Sequence, residues 1–313
     1  MILMPINTIT VELTNKCDLD CKFCVPEREE SSLKFSTFKH IVKESQKVDP
    51  PIKNFEFGYF GSPLMYKRFE DVLKLLQKNK LSANVVTNGF NLKWNLGFIG
   101  DKLMKNISVS VYLESLDEAK CDQLTGVKKY YKKTIEAMEY MNDRRIPYNI
   151  FMRITSLNYQ EIEQMLDIMK FYYGQGLFPI EMFPYTDESL LLTDEMKKEA
   201  IQKIVELQNY GESIHRVIQF SEVEGNCSYQ RMERLFVNSS GNVGFCHFLT
   251  PLEKTGLFNA GKMKISKIIE LNNKVRKKYL TKKPKELKIW KRPRQTVSPC
   301  SYCLHNFGLK KNW

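Results

Sequence analysis

Short runs of β-branched and aromatic residues alternate along this chain with longer stretches whose apolar residues recur at helical spacing. The short runs are Thr8–Leu13, Asn54–Tyr59, Asn84–Thr87, Asn106–Leu113, Tyr148–Thr155 and Ile180–Phe183, and each predicts a strand. The periodic stretches Phe35–Lys47, Phe69–Lys78, Tyr131–Met141, Ile162–Tyr172 and Asp194–Leu207 predict helices, the last capped by Thr193. Glycines interrupt the connection Leu92–Leu103, so no continuous helix is predicted there. Repeated strand–helix units argue for an α/β fold, a parallel sheet with outer helices. They are too few for a closed eightfold barrel.

Beyond about Tyr210 the pattern changes. Two short strands are predicted around Arg234–Asn238 and Val243–Cys246, then a helix around Ser266–Leu280, then a basic, proline-containing loop to Cys300. The chain is therefore read as two domains, 1–210 and 211–313. The second is too small to build a large core, and metal ligation would substitute for packing.

At 313 residues, 42% hydrophobic and 27% charged, the chain has the balance of a globular protein, which excludes wholesale disorder. No apolar run approaches the roughly 18 residues of a membrane span. The opening MILMPINTITVEL lacks the basic region and cleavage pattern of a secretory signal. A cytoplasmic location with no membrane partner is expected, and there eight cysteines point to metal or redox chemistry before disulfides. The net charge of 48 − 36 = +12 is concentrated in Lys274–Arg294. That segment is either a solvated lysine-rich face or a site for an anionic partner. Without a nucleic-acid motif, nucleic acid is not the expected partner.

Cys17, Cys21 and Cys24 form a C-x3-C-x2-C triple just after the first predicted strand. Three thiolates so close together can wrap one corner of an iron–sulfur cube and leave its fourth iron without a protein ligand. Structural zinc is the alternative, but it needs a fourth ligand, and the nearest in sequence, His40, has no finger-like spacing. A second set, Cys227, Cys246, Cys300 and Cys303, has the four ligands for one complete cluster or one zinc. Cys121 remains, a small residue for packing or a thiol able to give up a hydrogen atom.

The triple, with Phe23 as the aromatic before its third cysteine, resembles the radical S-adenosylmethionine (radical SAM) superfamily. The resemblance implies a partial (β/α)6 barrel, open on one side. It implies a [4Fe–4S] cluster on Cys17, Cys21 and Cys24, whose open iron binds S-adenosylmethionine. Reductive cleavage then gives a 5′-deoxyadenosyl radical that abstracts hydrogen from substrate, with the protein binding and orienting the reactants. Gly241-x4-Cys246 and the last cysteine pair resemble the SPASM/twitch extension of many members. This implies a second, auxiliary [4Fe–4S] cluster on Cys227, Cys246, Cys300 and Cys303, in the short one-cluster form. A flavodoxin- or ferredoxin-type reductant is implied as well.

The same resemblance assigns S-adenosylmethionine contacts to loops at the strand ends. Gly61-Ser62-Pro63 stands where the family has Gly-Glu-Pro after a further glycine. Ser62 replaces the acid, so the methionyl ammonium keeps only a neutral acceptor there. Thr87-Asn88-Gly89 matches a T-N-G element, and Ser110-Val-Tyr112 the S-x-Y element of strand four. Leu124-Thr-Gly126 and Tyr131 match a pattern of SPASM-type members. Arg153 is a charge in an otherwise apolar strand and needs a carboxylate, of ligand, substrate or protein. Glu12 and Glu56 are further acids able to face the barrel interior.

A fully ligated auxiliary cluster suits electron transfer. The expected reaction is therefore oxidation, a dehydrogenation of a small sugar- or cyclitol-like metabolite. The alternative is modification of a ribosomal peptide, by cross-linking or by epimerisation with Cys121 as donor. An alternative of another class is a metal-stabilised, non-catalytic nucleic-acid-binding protein.

Overall fold

The computed structural model describes residues 6–24, 30–58, 60–97, 99–181, 187–215, 233–244 and 258–281. They form strands β1 Thr8–Val11, β2 Asn54–Phe57, β3 Ser82–Thr87, β4 Ile107–Tyr112, β5 Tyr148–Ile154, β6 Leu177–Glu181, β7 Arg234–Val237, β8 Asn242–Gly244 and β9 Phe258–Asn259. The helices are α1 Phe35–Ser45, α2 Phe69–Lys78, α3 Leu92–Gly97, α4 Asp101–Met104, α5 Glu118–Thr125, α6 Tyr130–Asp143, α7 Ile162–Phe171, α8 Asp194–Asn209 and α9 Ile265–Thr281. The result is a mixed α/β fold with a parallel sheet, as a partial TIM-like barrel requires.

Two compact units emerge. One contains residues 13–32 and 56–220; the other contains 1–12, 33–55 and 221–313. The division therefore does not follow the order of the chain. In the larger unit the strands lie in the order β6-β5-β4-β3-β2. The register runs Val85↔Val109 and Thr87↔Val111, then Val111↔Ile150, then Ile150↔Leu177. Alternation sorts the faces. Tyr148, Ile150, Met152 and Ile154 of β5 are buried in the core, while Asn149, Phe151 and Arg153 are half-buried on the opposite face. β4 matches it, with Ile107, Val109 and Val111 in the core and Ser108, Ser110 and Tyr112 opposite.

In the smaller unit β7 lies between β1 and β8, with β9 beyond. β1 and β7 are parallel, Thr8↔Arg234 through Val11↔Val237. β7, β8 and β9 are antiparallel. Gly241, at φ +82, closes the turn from β7 to β8 in a conformation that side chains avoid. The carbonyl of Asn238's side chain accepts from the backbone N–H groups of Ser240 and Asn242. Glu12 belongs to this turn, its buried carboxylate accepting from the Ser239 N–H at 2.9 Å.

Most predicted elements stand within two residues of their expected ends. Strand six begins earlier than expected, at Leu177, and takes in Pro179. A proline is tolerated because β6 ends the strand order and needs no ladder donor on its outer side. The interrupted connection forms two short helices, with Gly100 as N-cap of α4. α5 was not predicted; it is capped by the Asp117 carboxylate, which accepts from the Lys120 N–H. No helix among the described residues is long and apolar enough to cross a membrane.

Candidate active site

The cysteine triple lies on the loop that follows β1. Its base is closed by side chains: the Thr14 hydroxyl donates to Ser31 O at 2.9 Å, and the Ser31 N–H donates to Asn15 Oδ1 at 2.6 Å. Backbone bonds join the loop to its neighbours. Ser62 N donates to Lys16 O at 2.8 Å, which ties Gly61-Ser62-Pro63 to the loop; Asp20 N and Lys22 N donate to Thr125 O and Leu124 O at the end of α5. Two glycines permit these approaches. A Cβ on Gly61 would lie 2.3 Å from Thr14 O, and one on Gly126 2.4 Å from Asp20 O. Thus Gly61 and Gly126, both singled out from sequence, are positions where backbone meets the cysteine loop.

Cys17, Cys21 and Cys24 are each half-buried. Phe23 is buried with Leu124 and Leu190, and Cys21 packs against that group. Leu19 is buried with Cys121 and Tyr130, against which Cys17 and Cys21 pack. The loop is therefore anchored by Leu19 and Phe23 while its three thiols stay at the margin of the core. Among the described residues no three Cys, His, Asp or Glu side chains converge on one point as a single ion demands. A cubane asks for something else, one thiolate on each of three irons, and the donor set fits that. Burial pushes the Cys21 thiol up, opposed chiefly by the Arg153 guanidinium. Ligation must therefore expel a proton.

Thr87-Asn88-Gly89 reaches the same loop. The Asn88 amide donates to Asp18 Oδ1 at 2.6 Å and lies 3.7 Å from Cys17 Sγ. Gly89 has φ +76, and a Cβ there would meet Val111 Cγ2 at 2.6 Å. Asp18, unremarked in the sequence, holds two asparagines, since Asn91 donates to its other oxygen at 2.8 Å.

Ser110 is buried on β4, its hydroxyl 3.2 Å from Asn84 Oδ1; the Asn84 amide lies 3.5 Å from Glu56 Oε2 on β2. Arg153 finds its carboxylate inside the protein, in a close ion pair with Glu114, whose side chain is 1% exposed. The guanidinium carbon stands 3.6 Å from the centre of the Tyr112 ring and 4.6 Å from that of Phe23. Burial raises the Glu114 carboxyl above its ordinary range against the pull of Arg153. Glu114 was missed because a lone acid has no spacing pattern, although Arg153's need for a partner pointed to one.

Beside Arg153 the same face carries aromatic rings across three strands. Tyr112 and Phe151 meet edge-on with centres 5.5 Å apart, Phe151 and Phe178 are 5.2 Å apart, and Phe178 stacks on His215 at 4.6 Å. This row was not foreseen; its signal was aromatic residues at alternate positions of β4–β6. Cys121 is fully buried, its thiol donating to Ser115 O at 3.1 Å and pushed up to about 12 by burial. That environment suits packing beneath the loop. Cys227, Cys246, Cys300 and Cys303 lie outside the described residues.

Comparison with known proteins bears on this arrangement. Residues 11–172, more than half of the chain, match the model of the radical SAM superfamily. A tungsten-containing aldehyde ferredoxin oxidoreductase cofactor-modifying protein of Pyrococcus furiosus is 23% identical over 58% of this chain and 52% of its own. The sporulation killing factor maturation protein SkfB of Bacillus subtilis is 25% identical over 52% of this chain and 39% of its own. The chain thus spans about half or less of these curated relatives. Among solved structures, SuiB of Streptococcus suis bound to precursor peptide SuiA superimposes with a TM-score of 0.69, at 15% identity, over 87% of this chain and 67% of its own. The same fold thus surrounds the cysteine loop and its strand-end partners. The chain belongs to the radical SAM superfamily, and with that membership come the character of an enzyme, a [4Fe–4S] cluster and S-adenosylmethionine.

Proposed function

We propose that this enzyme turns the 5′-deoxyadenosyl radical on a peptide. The observation that carries the reading is the inner face of β3–β6. It sets amide and hydroxyl groups (Asn84, Ser110, Asn149) beside the row of Tyr112, Phe151 and Phe178. Amides of a backbone find donors and acceptors there, and an apolar side chain finds rings. SuiB, solved with a precursor peptide, and SkfB, a maturation protein, support the same choice. The expected sugar- or cyclitol-like substrate gives way to it.

In this reading Cys17, Cys21 and Cys24 hold the cluster, which when bound supplies the electron that breaks a C–S bond of S-adenosylmethionine. Gly61, Ser62 and Pro63 offer backbone and one hydroxyl to the methionyl end. Thr87, Asn88 and Ser110 line the way to it. Arg153 does not reach for a ligand carboxylate; paired with Glu114, it spans Tyr112 and Phe23 and fixes the wall between substrate and cysteine loop. Asn88 positions the loop through Asp18. Asn88→Ala is expected to speed loss of iron to a chelator about tenfold, the usual scale for a group that orients metal ligands. An unchanged rate would confine Asn88 to its turn.

We assign a second [4Fe–4S] cluster to Cys227, Cys246, Cys300 and Cys303, as acceptor of the electron left on substrate in an oxidative step. Cys303→Ala is then expected to retain part of the 5′-deoxyadenosine formation while losing product. Normal product from that variant would remove this cluster from the reaction. Radical chemistry of this kind needs a reducing compartment, which places the enzyme in the cytoplasm.

The test is anaerobic reconstitution, followed by S-adenosylmethionine, dithionite and a short peptide encoded beside the gene. Loss of two hydrogens from the peptide, or one deuteron gained in deuterated water, is the expected mass change. Deoxyadenosine without any change in the peptide, together with oxidation of an added cyclitol, would overturn the peptide reading.

A further inference from the structure

Trp94 of α3 is 71% exposed. It forms a ridge between two grooves of about 480 and 640 Å³, each lined by Trp94 and Asn91. One groove runs along α6 past Phe90 and Tyr140, and the other along the Leu64–Phe69 segment. A lone exposed ring would mean little, but apolar surface gathered into a patch marks contact sites, and Phe90 and Tyr140 join Trp94 along the first groove.

The charges around the ridge are unbalanced. Lys67, Lys93, Lys132 and Lys133 stand there against Glu70 and Glu136. Glu136 bonds Lys133 at 2.8 Å and is held below the ordinary carboxylate range by that bond, with Lys93 and Lys132 acting on it as well. Glu70 is bonded by Lys74 at 2.8 Å. The carboxylates are thus already answered, and positive charge is left over for a partner.

The ridge also lies beside the cysteine loop. Asn91, which lines both grooves, donates to Asp18 at 2.8 Å. Asp18 adjoins Cys17 in sequence and accepts its thiol at 4.0 Å. Two side chains in hydrogen-bonding sequence separate the open surface from a sulfur assigned to the cluster.

We infer that the Trp94 ridge, with its surrounding lysines, is the docking surface for an acidic one-electron carrier protein that reduces the cluster. The carrier loses one electron and the cluster gains it; no bond forms or breaks and no proton moves at this step. Electron-transfer partners bury little surface and rely on charge to steer encounter, and a single exposed tryptophan ringed by lysines suits that mode. The inference rests on the radical SAM chemistry and not on the peptide assignment.

Two carriers serve as probes, a flavodoxin and a [2Fe–2S] ferredoxin. Carrier-driven 5′-deoxyadenosine formation is compared with dithionite-driven formation in wild type, Lys93→Glu/Lys133→Glu and Trp94→Ala. Calorimetric titration of the holoenzyme with each oxidised carrier gives binding without turnover. For at least one carrier, the expected result is a dissociation constant and a KM about tenfold higher in the double variant, with weaker binding at high salt. The dithionite rate should stay within about twofold of wild type, since that small reductant needs no docking surface. Carrier-driven and dithionite-driven rates falling together would overturn the inference, as would wild-type carrier binding by the double variant. Failure of both carriers to bind and reduce the wild-type enzyme would overturn it too. A radical SAM enzyme without peptide activity would leave these outcomes unaffected.

Discussion

Cys24→Ala is expected to abolish cleavage of S-adenosylmethionine while leaving the fold intact. Cys24 is half-buried at the end of a tight turn, where its N–H donates to Cys21 O at 2.9 Å. That backbone bond survives the substitution. Leu19 and Phe23, the residues that anchor the loop, are untouched. Loss of one sulfur at such a position costs stability on the order of 1 kcal/mol or less. For the cluster it removes one of three protein ligands, and two thiolates do not retain a cube that already lacks a fourth. Reconstituted protein should lose about four irons per chain. Deoxyadenosine formation should fall by about three orders of magnitude, as when a cofactor ligand is lost outright. Far-ultraviolet circular dichroism should not change. Cleavage at a tenth of the wild-type rate or more would remove the cysteine loop from the chemistry.

Arg153→Met should be strongly destabilising, and its cost should depend on pH. Methionine retains enough of the stem to lie between the rings of Tyr112 and Phe23. What it lacks is the charge that answers Glu114, whose side chain is almost wholly shielded from water. Breaking a buried pair from one side costs about 3–5 kcal/mol, because the remaining charge is stranded. The stranded group can escape by taking a proton. Glu114 is already raised by burial, with Arg153 the main opposing influence; without Arg153 it rises further. A carboxyl raised in the folded state binds its proton more tightly there than in the unfolded chain. Stability then falls as pH climbs from the unfolded to the folded value. Arg153→Met should therefore approach wild type near about pH 5 and lag by several kcal/mol near about pH 8. Urea unfolding at the two pH values measures this. Adding Glu114→Gln should recover much of the loss at the higher pH. An equal deficit at both pH values, with no rescue by glutamine, would show that packing and not charge sets the cost.

The strands and helices of the larger unit were legible because their two periods, two and about 3.6, repeat without conflict. Where the reading slipped, a local rule had yielded to position. The strand predicted from Ile180 begins at Leu177 and includes Pro179, which β6 accommodates at the end of the order. α5 has little amphipathic pattern in Glu-Ala-Lys-Cys-Asp-Gln-Leu-Thr, and its start depends on the Asp117 cap. β9 is two residues long and leaves no period to detect.

At the site, fixed spacing was informative and single residues were not. The cysteine triple, Gly-Ser-Pro and Thr-Asn-Gly announced themselves, and they meet in the structure through Lys16, Asp18 and Asn88. Arg153 announced only a need. Its answer, Glu114, lies 39 residues away in sequence on the loop after the neighbouring strand, a separation that no local pattern encodes. Cys121 likewise has no spacing pattern, and its burial becomes visible only in the structure.

The pairing of β1 with β7 also bears on how the chain is made. Thr8 pairs with Arg234, so the first strand must wait for residues that leave the ribosome only after about three quarters of the chain has been synthesised. Until then β1 exposes an unsatisfied hydrogen-bonding edge next to the loop destined to carry the cluster. Contacts between positions so distant in sequence slow folding, and open edges invite pairing with other chains. A chain cut after Tyr210 would keep all three loop cysteines and still lack β7, on which one edge of its first strand pairs. It should accumulate as aggregate and not as a smaller enzyme. In the cell, iron would then have to be inserted late, into a nearly finished polypeptide.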